Sequence, residues 1–167
     1  MCNVRTLANG SAPSTGYLVW RLAIMWRAGL DRALSHLGLT SAQYGVLAAL
    51  HGLSSGASRP SQRELADFVG LEPMFVSKLA RTLQRKGLVE RRVHHADPRA
   101  LQLTVTADGI RVLTAARKIV VELEERRLAP LGGKRSRRSI DFKKTLATLL
   151  IERKGREYTP PDKGGTH

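Results

Sequence analysis

Residues 61–105 read SQRELADFVG LEPMFVSKLA RTLQRKGLVE RRVHHADPRA LQLTV, and this stretch decides the fold. Ser61-Gln62-Arg63-Glu64 is a capping box: the serine oxygen can accept from the third helical amide while the glutamate reaches back to the serine N–H. It opens a helix through about Val69, which Gly70 can end in the left-handed conformation. Pro73 suits the first turn of a second helix, where its missing N–H is no loss. That helix spans about 72–86, and Gly87 stops it. Two helices joined by so tight a turn have helix-turn-helix spacing. Two short strands follow, Leu88 to Val93 and Ala100 to Val105, the second alternating Leu101, Leu103 and Val105 with Gln102 and Thr104. Between them His94-His95-Ala96-Asp97-Pro98-Arg99 makes a polar, turn-rich tip. A helix-turn-helix followed at once by a β-hairpin is a winged helix.

Upstream, residues 1–13 hold Asn9-Gly10-Ser11-Ala12-Pro13 and no apolar period, the composition of a flexible tail. Helical character then runs from Ser14 to His36. Its apolar residues (Tyr17, Leu18, Trp20, Leu22, Ile24, Met25, Leu30 and Leu34) lie on more than one face, so the helix should be buried nearly all round. In a chain this small a second copy could supply the cover. Thr40-Ser41-Ala42-Gln43 is another capping box, opening a short helix through about Leu50, and a Gly/Ser-rich loop occupies Gly52 to Pro60. Downstream, Thr106 can cap a long helix through about Leu128, broken by Pro130, Gly132 and Gly133. The basic run Lys134-Arg135-Ser136-Arg137-Arg138 leads into a last helix over Ser139 to Arg153, with Ile140, Leu146, Leu149 and Leu150 expected to be buried. The remainder, 154–167, is Pro/Gly-rich and reads as a flexible tail. The fold class is therefore mainly α with a small β-hairpin wing.

Lysine and arginine total 28 against 14 acidic residues, a net charge of +14, which points to a polyanionic partner. An apolar fraction of 42% is enough for a packed core. Cys2 is the single cysteine, so no disulfide and no thiolate zinc site can form within one chain, which fits a reducing, cytoplasmic setting. The most apolar stretch, Tyr17 to Leu30, is interrupted by Arg21 and Arg27, short of the roughly 18 uninterrupted residues a membrane span needs. His36, His51, His94, His95 and His167 show no metal-site spacing with acids or cysteines, and there is no phosphate-binding glycine loop. No catalytic residue, metal or cofactor is expected.

On a helix at 100° per residue, Val76, Leu79, Ala80 and Leu83 share the core stripe. The opposite stripe carries Met74, Ser77, Lys78, Arg81 and Arg85: three cations and no acid. Such a helix fits the DNA major groove, where Arg and Lys pair with guanine edges or phosphates, Ser77 can reach a base or a phosphate, and Met74 can touch a thymine methyl. At the hairpin tip Arg99 is a candidate for the minor groove, with Asp97 able to fix the tip by accepting from the loop backbone or from Arg99. Arg91, Arg92, His94 and His95 would line the approach to the DNA backbone. Ser61, at a helix start, can cap and can also meet a phosphate.

Taken in order, Leu65-Ala66, Val76-Ser77-Lys78-Leu79, Leu83-Gln84-Arg85-Lys86-Gly87-Leu88-Val89-Glu90-Arg91, Asp97-Pro98-Arg99 and Val105-Thr106-Ala107-Asp108-Gly109 resemble the pattern of the MarR family in order and spacing. Residues 40–50 resemble that family's second helix, and the resemblance covers about residues 17–153. It implies a homodimeric transcriptional regulator, commonly a repressor, that binds a pseudo-palindromic operator in double-stranded DNA. On that resemblance 37–105 is the DNA-binding region, while 14–36 and 106–153 form a helical dimerisation region. Many members respond to a small aromatic or phenolic effector in a cleft between arm and lobe; Tyr17, Trp20, Trp26 and Tyr44 lie on the helices that should border it. The family's DNA contacts map onto Met74, Ser77, Lys78, Arg81 and the wing residue Arg99. The chain departs from many members in carrying apolar Met74 and Phe75 where they have Ser or Thr. Its cysteine precedes the first helix, which disfavours organic-peroxide sensing. The alternative is a sequence-neutral architectural DNA- or RNA-binding protein, which the charge alone would suit, though RNA-recognition aromatic signatures are absent.

Overall fold

A computed structural model describes residues 12–54, 60–93 and 101–151. The tails, Cys2 and the wing tip with His94, His95, Asp97 and Arg99 lie outside the described residues. The elements run α1 (Thr15–Leu34), α2 (Ser41–Leu53), α3 (Gln62–Val69), α4 (Pro73–Arg85), β1 (Val89–Val93), β2 (Leu101–Val105), α5 (Ala107–Leu128) and α6 (Arg137–Ile151), with 3-10 turns after α1 and α5. The chain divides into two compact units, Met1–Leu123 and Glu124–His167.

In the first unit the starts of α1, α2, α3 and α5 are each set by a local hydrogen bond to a serine or threonine, while α4 opens at Pro73 with no side-chain cap. Thr40 accepts from the Gln43 amide and Gln43 returns to the Thr40 N–H. Ser61 and Glu64 do the same for α3, at 3.2 and 2.7 Å. Asp31 in the last turn of α1 accepts from the Ser41 N–H at 2.6 Å, satisfying an amide that α2 itself leaves without a partner. This bond is the largest influence holding the Asp31 carboxyl below its usual pKa; a side-chain bond from Ser41 and the Arg27 charge act the same way, against desolvation. Gly70 ends α3 at φ 67°, a left-handed conformation that any side chain would strain, and the chain reverses into Pro73 at the start of α4.

α2, α3, α4, β2 and the first half of α5 enclose the core: Val46, Leu47, Leu50, Leu65, Val76, Leu83, Leu103 and Leu113 are all fully buried. The hairpin pairs Val89 with Val105 through Val93 with Leu101, antiparallel. Pro60 and Ser61 extend the hairpin's edge, Leu103 donating its N–H to the Pro60 carbonyl at 3.3 Å. Thr106 welds the hairpin's end to α5: its hydroxyl donates to the Gly87 carbonyl at 2.7 Å and accepts from the Gly109 N–H at 3.0 Å. Gly109 packs so closely on this joint that a Cβ there would stand 2.2 Å from the Leu88 carbonyl oxygen, which no side chain permits.

Two expectations need correction. α6 starts at Arg137, not Ser139, because Ser136 caps it, accepting from the Ser139 N–H at 3.1 Å. This cap has no glutamate three residues on, so the capping-box signature is missing. Ile140, Leu149 and Leu150, expected to be buried, are exposed, and Leu146 is half-buried. α1 differs in the same sense: only Gly29 and Leu34 are buried, while Leu18, Val19, Trp20, Leu22, Ile24 and Met25 are exposed. These helices carry more apolar surface than one chain covers.

Within the second unit, Glu124 pairs with Lys143 at 2.8 Å and Lys134 at 3.7 Å, and Glu125 accepts from the Lys134 N–H. Arg137 is paired with Asp141 one turn on. Of the basic run, Arg135 and Arg138 are exposed with no ionic partner among the described residues.

Candidate nucleic-acid interface

α4 divides its two faces as its periodicity dictates. Val76, Leu79, Ala80 and Leu83 are buried in the core. Met74, Lys78, Arg81 and Arg85 are exposed on the opposite side, and Ser77 is half-buried at its margin. No carboxylate pairs with Lys78, Arg81 or Arg85 among the described residues. Arg85 instead donates to the Thr82 hydroxyl at 3.2 Å, and Thr82 to the Lys78 carbonyl. The charge of this face is therefore left for an external anion.

The helix is fixed at its far end. The Lys86 ammonium donates to the Gly38 carbonyl and, at 3.0 Å, to the amide oxygen of buried Gln43, the same oxygen that accepts from the Thr40 N–H. One lysine thus ties the end of α4 to the joint between α1 and α2, and the cationic face cannot roll without breaking both bonds.

Arg91, expected with Arg92 beside the DNA backbone, is half-buried and shares a face with buried Val89, two residues back. It donates to the Gln62 side chain at the start of α3 at 3.3 Å. Burial first, and then the nearby Arg81 charge, hold its pKa below the usual guanidinium value. With Lys78, Arg81, Gln84 and Arg85 it lines a concavity of about 460 Å³ between α4 and the stem of the hairpin. Arg92, on the other face, pairs with Glu90 at 2.8 Å; both are exposed, so the pair adds little stability. Gln62 and Gln84 were not among the expected site residues. Gln84 had a signal, since it stands two turns from Ser77 on the same flank of the helix. Gln62 had none, because its partner comes from a distant strand.

Ser61 caps α3 as expected. Glu64 takes the Ser61 N–H and so stations a carboxylate at this helix end, which weighs against a phosphate meeting the amides there. Of the aromatic residues expected near a cleft, Tyr17 and Trp20 stand together, ring centroids 5.9 Å apart, with Arg21 donating to the Tyr17 hydroxyl at 3.1 Å. Trp26 is half-buried on the same helix. Tyr44 belongs to α2 and packs against the core; burial raises its hydroxyl pKa, an effect that Arg117 opposes. No helix among the described residues is long and apolar enough to cross a membrane.

The MarR family model matches residues 37–100. The chain is similar to the HTH-type transcriptional repressor Rv2887 of Mycobacterium tuberculosis, 32% identical over 137 residues that span 80% of this chain and 91% of the relative. Its fold is similar to that of S. aureus MepR in a DNA complex, with a TM-score of 0.72 and 23% identity over 84% of this chain and 98% of the other. It is similar too to CouR from Rhodococcus jostii RHA1 bound to p-coumaroyl-CoA, with a TM-score of 0.67 and 23% identity over 87% and 94% of the two chains. At such identities the structural likeness is one of fold.

Proposed function

This chain belongs to the MarR family of HTH-type transcriptional regulators, and on that premise we propose that it is a repressor that docks α4 in the major groove of a pseudo-palindromic operator. The observation that carries this is the acid-free row Lys78, Arg81 and Arg85 on a helix whose other face is locked in a winged-helix core. Arg91 and Gln84 extend the row toward the hairpin stem and supply phosphate or base-edge donors. Arg99 of the wing sequence, and Arg135 and Arg138 of the basic run, are further candidates for phosphates.

The active species is a homodimer. The lobe over 37–105 reads DNA, and the helical segments 14–36 and 106–153 form the dimer arm. The exposed apolar residues of α1 and α6 support this, since each helix needs cover from outside its own chain. A small aromatic or phenolic effector releases the DNA; the CouR complex and the Tyr17–Trp20 pair support that class. The protein works in the cytoplasm and is not an enzyme.

Binding to sheared genomic DNA at two salt concentrations, followed by sequencing, tests the reading. Enrichment of a two-fold symmetric site of about 16–20 base pairs, with half-sites roughly 34 Å apart, is expected, together with a steep salt dependence from released counterions. Uniform, purely salt-driven recovery of every fragment would move the assignment to an architectural binder.

A further inference from the structure

The first turn of α4 has a chemistry unlike the rest of its exposed face. Met74 is 78% exposed and Phe75 44%, and the turn leading into them adds Leu71 at 37%. The core stripe of α4 is already complete with Val76, Leu79, Ala80 and Leu83, so Met74 and Phe75 are not needed to hold the lobe together. Nor does the first turn, Pro73-Met74-Phe75-Val76, carry a side-chain hydroxyl or amide to make polar contacts, and Glu72 makes no side-chain cap.

What covers these residues follows from what stands next to them. Met74 and Lys78 are one turn apart on one ridge, and Lys78 is followed by Arg81 and Arg85. A partner that covers Met74 must also accept this carboxylate-free cationic row, which selects a polyanion over an apolar protein surface. The end of a recognition helix that enters the major groove is its N-terminal end. In that groove the apolar group of an A·T pair is the thymine C5-methyl, and a G·C pair presents one only when its cytosine is methylated. Exposed Glu72 repels phosphate and keeps this end of the helix over the base edges rather than the backbone.

We propose that Met74 and Phe75 read pyrimidine C5-methyl groups, making the chain selective for thymine or 5-methylcytosine beside the bases met by Lys78 and Arg81. This rests on the DNA-binding reading above and adds the chemical class of the bases read. Methionine suits the task because its flexible, polarisable side chain fits a methyl without demanding one fixed geometry. Phe75, on the flank, supplies a flat apolar wall.

The test begins with selection of the preferred duplex from a randomised pool by the full-length protein. Each thymine in the selected half-site is then replaced by uracil, which removes the methyl and leaves every hydrogen-bonding edge intact. The expected result is one or two positions where uracil weakens binding on the order of fourfold per half-site, the burial worth of one methyl group. At those positions cytosine should bind worse than 5-methylcytosine, and the comparison of thymine with 5-methylcytosine tells which source of the methyl is preferred. Met74→Ser and Phe75→Ser, both at exposed positions and checked for unchanged melting, should lose the uracil effect, their binding to the thymine duplex falling to about the level the wild type shows on the uracil duplex. If uracil is neutral at every position, or weakens the wild type and both variants alike, the methyl-reading proposal is overturned while DNA recognition stands. If no duplex is enriched at all, it is the DNA-binding reading that fails.

Discussion

Helices α1 and α4 both carry more than enough apolar residues to be buried, yet they place them differently. In α4, apart from exposed Met74 and Phe75 in its first turn, they fall on one stripe, and all of that stripe is covered by the chain's own α2, α3 and hairpin. In α1 they spread around the helix, and six large ones remain exposed, Trp20 at 59% among them. The difference separates a helix whose packing is complete within one chain from a helix whose packing is not. It also explains why α4's outer face can carry Lys78, Arg81 and Arg85 beside exposed Met74 and Phe75: nothing on that face is needed for folding.

The sharpest way to break this comparison is a cut in the covered stripe. Leu83→Ala removes a fully buried side chain from the back of α4 and should lower unfolding stability by about 2–5 kcal/mol in a urea titration. Met74→Ala, on the exposed side of the same helix, should stay within about 0.5 kcal/mol. Equal losses would mean that the two faces of α4 are not divided as described.

The complementary change is a charge in the uncovered surface. Ile24, 48% exposed and one turn from Trp20, becomes a buried carboxylate in Ile24→Glu only if a second chain covers α1. Sedimentation should then show the dimer dissociation constant rise on the order of a hundredfold, the order of an unpaired polar burial. An unchanged dimer would place the interface elsewhere.

A smaller effect is expected where the lobe meets DNA. Arg81→Ala should weaken the selected operator by about 1–3 kcal/mol if Arg81 reads a base, and should relax preference at one position. If Arg81 meets only a phosphate, binding falls evenly across sequences and the salt slope drops by about one. Fold stability is unaffected in either case, because Arg81 is exposed and without an ionic partner among the described residues.

The lobe could be derived almost entirely from sequence because its signals are local. Thr40 with Gln43, Ser61 with Glu64, Gly70, Pro73 and Thr106 each act within a few residues, and each is found doing so. What could not be derived depends on distant partners. Arg91 turns toward Gln62 because the hairpin register brings a strand beside the start of α3, 29 residues away in sequence. Lys86 reaches Gly38 and Gln43 across more than 40 residues. The periodicity of α6 marks Ile140 and Leu150 for burial, yet both are exposed, because an apolar stripe does not say what covers it. For the same reason the wheel of α4 located its cations but not the Gln84–Arg91 concavity beside them.

The smallest effect concerns the joint between the two kinds of helix. α1 changes character in its last turns, where Leu34 is fully buried and Asp31 holds the first amide of α2. Because the Asp31 pKa lies below the ordinary value of 3.8 when folded, its contribution is fully present above that value. It is lost as the pH falls through the lowered, folded one. Asp31→Asn should therefore destabilise the lobe near neutral pH by under about 1 kcal/mol, a charged hydrogen bond discounted for solvent screening. The wild type and the variant should converge in acid, where the carboxyl of the native protein is protonated too. Urea titrations of both proteins at pH 7, 5 and 2.5 measure this directly. A difference that persists undiminished at the lowest pH would mean that Asp31 acts by shape rather than charge. The end of α1 would then be held to the lobe by Leu34 packing alone.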